Sequence, residues 1–427
     1  MSDVETKQAK TSVGSLILYV LLAIGAILII KRFIFGLGSV TNLSDAYPWG
    51  FWISFDVLTG IALAAGGFTL TAGIYIWGNE KYHALARPAI LTALLGYVIF
   101  VIALVIDLGR GIVMWHMFLP WMWQHNSVMF EVGWCVATYL TILVFEFLPS
   151  LLEGIKAKNL LSLWEKITPL VVIVLLSLFT YAMTGSALWT VIVFILTTGF
   201  EGLQAAGIVR KSRPVPILLI MAGVCLSCLH QSSLGSLFLM VPTKLNALWN
   251  TPMLPIMFLL TAIMVGPAMV IFEGIVSAKI FKRKSELGLL SGLAKVLPVL
   301  IILYLIVRVA DLVIRREIAA AFAMDTLSLM FLLELAIGSI IPLILFLSKA
   351  TARSETGLFW GSLCMVLGIF LHRLNVSLVG LDPHSWQTYV PAVQEILISL
   401  GVISLGLLIF RYIVNHFPVY EEEHAAG

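Results

Sequence analysis

SCLHQSSLGSLF, residues 227–238, sets an imidazole, a carboxamide and four hydroxyls inside a run that is otherwise soluble in hydrocarbon. What His230, Gln231, Ser232, Ser233 and Ser236 are for depends on the solvent around the chain. The 427 residues are 60% hydrophobic and 11% charged, with a mean hydropathy of +1.03, far outside the range of soluble globular proteins. Apolar runs of roughly twenty residues or more recur from end to end, and the links between them rarely exceed about fifteen, so the chain's work is done in a bilayer. Nothing in this pattern asks for nucleic acid as a partner.

Apolar windows predict an all-α polytopic membrane protein with twelve spans, near 13–35, 50–77, 86–108, 127–153, 165–183, 187–209, 214–240, 252–281, 289–314, 324–349, 354–376 and 391–416. The polar start, MSDVETKQAKTS, runs into the first span without a small-residue cleavage site, which reads as an uncleaved span rather than a secretory signal. Of the 26 Lys and Arg, 18 fall on the N-terminal side of this alternation, among them the cluster Lys279, Lys282, Arg283 and Lys284. That bias puts both termini in the cytoplasm. The outer connections are instead aromatic, with DAYPWGFW at 45–52 and MWHMFLPWMWQHN at 114–126, as befits the headgroup level. Cys135, Cys225, Cys228 and Cys364 lie in apolar runs, which argues against disulfides or a metal site, and CLSC at 225–228 reads as core packing.

An ionisable group near the bilayer centre costs roughly 2.5 to 3.5 kcal/mol on insertion scales, so each one needs a reason. With this topology Asp56, Asp107, Arg110, Glu131 and His230 converge on the outer leaflet, with His116 in the loop above. On the fourth span Glu131, Cys135, Thr138, Glu146 and Glu153 fall within about 80° of arc, a polar stripe along one face. From Glu131 to Glu146 the helix rises about 22 Å, which suits a proton path through Glu131, Thr138, Glu146 and Glu153. The bland reading of the two inner acids is a hydrogen bond to a neighbour or a group at the inner interface.

Three pairs of segments recur in the same order: SVMFEV from 127 and SLMFLLEL from 328, VIDLGR at 105–110 and VADLVIR at 309–315, LHQSSLGSL at 229–237 and LHRLNVSL at 371–378. Duplication explains them. The expected organisation is a tail over 1–12, a first span and outer loop over 13–49, and a first four-helix bundle over 50–240 made of spans two, three, four and seven. A peripheral hairpin, 165–209, is inserted in that bundle. A second bundle in the same orientation covers 241–378, and a last span and cytoplasmic tail cover 379–427. Arg308 and Asp311, one turn apart, are expected to pair.

An imidazole, carboxylates, a guanidinium and hydroxyls such as that of Ser233, walled by aromatics and open to lipid, suit a quinone head group. His230 would donate to one carbonyl, Asp107 or Asp56 would fix its tautomer, and Glu131 would exchange protons. Two other classes share part of this pattern. A b-type cytochrome would use His230 and His372 on one haem, and a proton-coupled transporter would need broken helices in both halves.

FGLGSVTNLSDAYPWGFWISFDVLTGIALAAGGF, IDLGRG, NSVMFE and HQSSLGSL resemble the NrfD/PsrC family of integral membrane subunits, and within it the HybB-type subunits of membrane-bound nickel–iron hydrogenases. The resemblance runs over nearly the whole chain except about 165–209. It implies paired four-helix bundles with no haem or metal of their own, in a prokaryotic cytoplasmic membrane, passing electrons between a quinone pool, menaquinone by expectation, and an extracytoplasmic ferredoxin-like iron–sulfur subunit. A catalytic subunit or a multihaem cytochrome c would complete the complex. In the family the acid that Glu131 matches is implicated in proton transfer, and the quinone pocket lies in the first bundle near the outer face.

Overall fold

A chain with this many apolar runs must satisfy every backbone amide internally, and in lipid a helix does so within one segment. The computed structural model describes residues 13–45, 47, 49–208, 216–240, 244–381 and 389–420. The expected tail over 1–12, and Lys7, Lys10, Arg210, Lys211 and Arg213 used for orientation, lie outside the described residues. Among the described residues twelve helices are long and apolar enough to cross a membrane: α1 (Val13–Phe35), α2 (Ile53–Ile76), α3 (Glu80–Asp107), α4 (Val128–Gly154), α5 (Lys158–Thr184), α6 (Ala187–Ala205), α7 (Ile217–Leu239), α8 (Leu254–Ile280), α9 (Leu287–Arg315), α10 (Thr326–Leu347), α11 (Glu355–Val379) and α12 (Val393–His416). The window near 86–108 matches the regular helix Ala86–Asp107, which a tighter 3-10 segment, Glu80–Leu85, precedes, whereas the window for α5 falls late because the helical stretch from Lys158 is too polar to score.

The helices close into two rings. In the first, α2 packs on α3, α3 on α4, α4 on α7 and α7 back on α2; α8, α9, α10 and α11 repeat the circuit. The rings meet where α8 lies against α7 and α2. Burial follows this plan, with 78% of the α2 window and 67% of the α8 window inside the molecule against 11% for α1 and α6. Gly66 of α2 faces Gly266 of α8, and a methyl group at Gly266 would collide with the Thr69 hydroxyl. Gly235 of α7 is pressed the same way against Pro255 of α8. The first ring carries α12, with α1 on its back, and α5 holds α6 at the rim through a turn at Gly185, whose φ is +61°.

Local chemistry sets the helix ends. Ser127 caps α4 by accepting from Phe130 N at 3.3 Å, and Asp325 caps α10 by accepting from Ser328 N at 2.7 Å. The core helices are irregular: α2 widens at Ile53–Thr59 and Ala72–Ile76, α10 at Ala336–Ile340 and α11 at Asn375–Val379. Backbone carbonyls freed along α2 find side chains, Ser54 O accepting from Thr59 Oγ1 at 2.8 Å and Ile61 O from Gln231 Nε2 at 3.2 Å.

Candidate functional site

The four residues of HQSS separate by helical angle. His230 is fully buried, with its Nδ1 3.2 Å from the Tyr97 hydroxyl on α3 and no hydrogen-bond partner at Nε2. Gln231 ties α7 to α2 through Ile61 O, and exposed Ser232 returns its hydroxyl to Leu229 O at 2.7 Å. Ser233 reaches α4, where its Oγ lies 2.7 Å from Glu131 Oε1 and 2.9 Å from Leu229 O. One hydroxyl proton therefore has two acceptors. Ser233 can donate to a Glu131 carboxylate, or turn to Leu229 O and accept from the carboxylic acid, so both protonation states of Glu131 keep a partner.

Glu131 is partly exposed, and Met129 and Leu229 beside it are 56% and 45% exposed on the outer flanks of α4 and α7. Inward from the pair, Tyr97 stands edge-on to Tyr139 of α4 with ring centres 4.7 Å apart, and 5.5 Å from the His230 ring. The arrangement is a partly exposed carboxyl bound to the hydroxyl of a buried serine, backed by an imidazole and two phenols. Sequence reasoning missed Tyr97 and Tyr139. A tyrosine in the middle of a span, away from the headgroup belt, was the signal.

Asp56 and Asp107 belong to a different cluster. Ser399 of α12 donates to Asp56 Oδ2 at 2.5 Å, and Asp107 faces Arg32 of α1 and Glu395 of α12. Arg32 also donates to Ile106 O at 2.6 Å and Leu108 O at 2.5 Å, a cation placed on the carbonyl end of α3. Among the described residues no hydrogen bond or ion pair joins either aspartate to Glu131 or His230, so the role of fixing the imidazole passes to Tyr97. The reason is angular: ten residues separate Tyr97 from Asp107, about 80° of helix turn, so the first faces α7 and the second faces α12. Tyr389, in the link before α12, donates to Glu395 and accepts from Phe51 N at 2.8 Å, and burial pushes its phenol well above its ordinary value.

Arg110 is exposed, and His116 stacks edge-on against Trp115 with centres 4.4 Å apart. Both stand in the loop between α3 and α4, which lies over α4, where Met117 O accepts from Trp134 Nε1 at 3.1 Å. Along the stripe, Cys135, Thr138 and Glu146 are buried, whereas Glu153 is bound to Arg87 at 3.0 Å near the surface. Glu146 lies within electrostatic reach of Tyr75, whose hydroxyl is 3.2 Å from His83 Nε2. CLSC is core only in part: Leu226 and Ser227 are buried and Cys228 packs against the core, whereas Cys225 is exposed.

The second ring repeats the pair in sealed form. Asn375, which matches Ser233 in the repeat, donates to Glu334 at 2.8 Å, and Trp249 donates to the same oxygen at 3.1 Å. Arg373, matching Gln231, fills the interior over Phe258, and Glu334 is only 3% exposed. The expected Arg308–Asp311 pair does not form. Asp311 binds Arg315 at 2.7 Å and Thr251 at 2.5 Å, because a four-residue step leaves about 40° between side chains and a three-residue step about 60°. Arg308 instead points inward over the Phe331 ring. Among the described residues no three His, Cys, Asp or Glu side chains are grouped to hold a metal ion.

Fold and composition define an integral, multi-pass all-α membrane protein, with a partly exposed carboxyl at Glu131 in its first ring. The chain belongs to the polysulphide reductase NrfD family, whose model matches residues 39–381. It is 31% identical to the probable Ni/Fe-hydrogenase 2 b-type cytochrome subunit of Escherichia coli K12, over 93% of this chain and 90% of that protein. It is 23% identical to the integral membrane subunit of menaquinone reductase from Nitratidesulfovibrio vulgaris Hildenborough, covering 91% and 87% of the two chains. Identity is also 23% to a selenate reductase subunit of Mesobacillus selenatarsenatis, over 90% and 89%. These relatives are membrane subunits of oxidoreductase complexes, and membership in that class of redox subunit extends to this chain.

Proposed function

We propose that this chain is the quinone-interacting integral subunit of a respiratory complex, exchanging electrons between a menaquinone pool and an extracytoplasmic ferredoxin-like iron–sulfur subunit. A catalytic subunit or a multihaem cytochrome c stands beyond that partner. The complex sits in a prokaryotic cytoplasmic membrane with both termini of this chain inside. The observation that carries the reading is the Glu131–Ser233 contact at the lipid-facing mouth between α4 and α7. A quinone gains two protons with two electrons, and a carboxyl whose partner accommodates both protonation states is suited to deliver them. His230, held by Tyr97, is placed to bind the inner carbonyl. Asp56, Asp107, Arg110 and His116 shape the outer end of the site and the face toward the partner. Protons travel through Thr138 and Glu146 toward Glu153 or, by way of Tyr75, toward His83.

Replacing Glu131 by Gln in the assembled complex should lower quinone-linked turnover by about 100-fold or more while the subunits still co-purify. Turnover at the wild-type rate would sink the reading. A haem reading is favoured by the name of the Escherichia coli relative and by the Nε2 atoms of His230 and His372, which have no hydrogen-bond partner. A Soret band at one haem per chain in the purified subunit would establish it.

A further inference from the structure

Glu273 of α8 stands apart from the stripe on α4, at the seam between the two rings. Two cavities meet at its carboxyl. One, of about 20 Å³, is lined also by Arg283, Glu286 and Tyr420 and opens toward the face that carries residues 281–286 and 417–420. The other, of about 10 Å³, lies deeper against Gly66, Gly67 and Thr92. Spaces of this size hold a water molecule or two when polar groups line them. Each offers a polar partner besides Glu273 itself: Tyr420 donates to Glu273 Oε1 at 2.9 Å in the first, and in the otherwise apolar second the Thr92 hydroxyl is buried without a protein partner. Arg283 lies 3.3 Å from the centre of the Tyr420 ring and fixes that ring across the opening.

We propose that Glu273 is a proton-exchange site between the two rings, reached by water from the face of Arg283 and covered there by Tyr420. Water on that side protonates the carboxylate, and the acid hands a proton to water in the deeper cavity. One O–H bond forms for each that breaks, and no electron moves. The charged and titratable groups facing Glu273 are Arg283, Lys284 and Glu286 from the α8–α9 turn and Tyr420 from the tail, with Ser277 one turn along its own helix. Among the described residues no other ionisable group lines the deeper cavity. Burial raises the Tyr420 phenol well above its ordinary value, so it stays a hydrogen-bond donor throughout. A carboxyl serving only as a strut needs its tyrosine partner but not a cavity on each side. On α2 the second cavity reaches Leu63, two residues beyond Ile61, whose carbonyl accepts from the neighbour of His230.

The test uses the full chain in lipid nanodiscs, without quinone or partner subunits, so its failure is separate from any failure of the quinone reading. Infrared difference spectra taken on acidification should show a protonated-carboxyl band that Glu273→Gln removes and that shifts when H₂O is replaced by D₂O. Tyr420→Ala should speed that exchange several-fold, whereas Tyr420→Phe should move the band without speeding exchange, because the ring remains over the opening. A band of undiminished intensity in Glu273→Gln, or exchange in Tyr420→Ala no faster than in the wild type, would overturn the proposal. Tyr420 lies outside the spans, so its two variants decide the matter if Glu273→Gln does not fold.

Discussion

Ser233 and Glu131 show how a few atoms give a helix pair its chemistry. The serine proton is shared between Glu131 Oε1 and Leu229 O, so removing the hydroxyl takes this partner from both protonation states of the acid. Ser233→Ala should therefore cost about 1 kcal/mol of transition-state stabilisation, roughly a five- to tenfold drop in quinone-linked turnover, smaller than the loss in Glu131→Gln. His230→Ala should weaken binding of quinone or a quinone-site inhibitor, measured by titration of the purified complex, whereas Tyr97→Phe should leave affinity nearer the wild type and alter its pH dependence. An unchanged affinity in His230→Ala would remove the imidazole from the pocket. His230 and Ser233 were legible as polar residues in an apolar span. Glu131 was legible in the same way, but Tyr97 was not, because another helix brings it up and no local pattern records the meeting.

Helix ends and crossings decide whether that site is held in place. Ser127 sits at the start of α4, four residues before Glu131, and its cap fixes the first turn that carries the acid. Ser127→Ala should cost about 1 kcal/mol in thermal stability in detergent, with turnover falling as the turn frays. At the matching end of the second ring, the backbone hydrogen bond from Ser328 holds the exposed Asp325 carboxyl below its ordinary value. A carboxylate depressed by folding contributes stability above its ordinary value and loses that contribution as pH falls through the folded value. The melting temperature of the wild type should fall in that acidic window, and Asp325→Asn, which caps without titrating, should flatten that part of the profile. Gly235→Leu should be more severe than either cap variant, since the added side chain meets the backbone of Leu254 and Pro255, and loss of folded protein on a sizing column would report it.

Across the molecule, each ring holds a carboxyl bound to an amide or hydroxyl, and burial separates the two. Glu334 is locked by Asn375 and Trp249 in an interior filled by Arg308 and Arg373, whereas Glu131 is partly exposed. Glu334→Gln should accordingly lower stability or assembly more than it changes quinone affinity. Topology offers a test at the same scale: reporters fused after His416 should be active only inside the cell, and reporters placed near Ala323 only outside, if the positive-side bias sets orientation.

Composition and apolar run length were enough to determine twelve helical spans, because lipid leaves a backbone no other local solution. The repeat and the resemblance were legible for a similar reason, since short polar motifs in apolar spans are costly and hence conspicuous. Which acids share a cavity was decided only by the tertiary structure. Helix rotation sent Asp56 and Asp107 toward α12 and Arg32, and Glu131 toward Ser233, and rotation about an axis is set by the packing of distant neighbours rather than by any stretch of sequence.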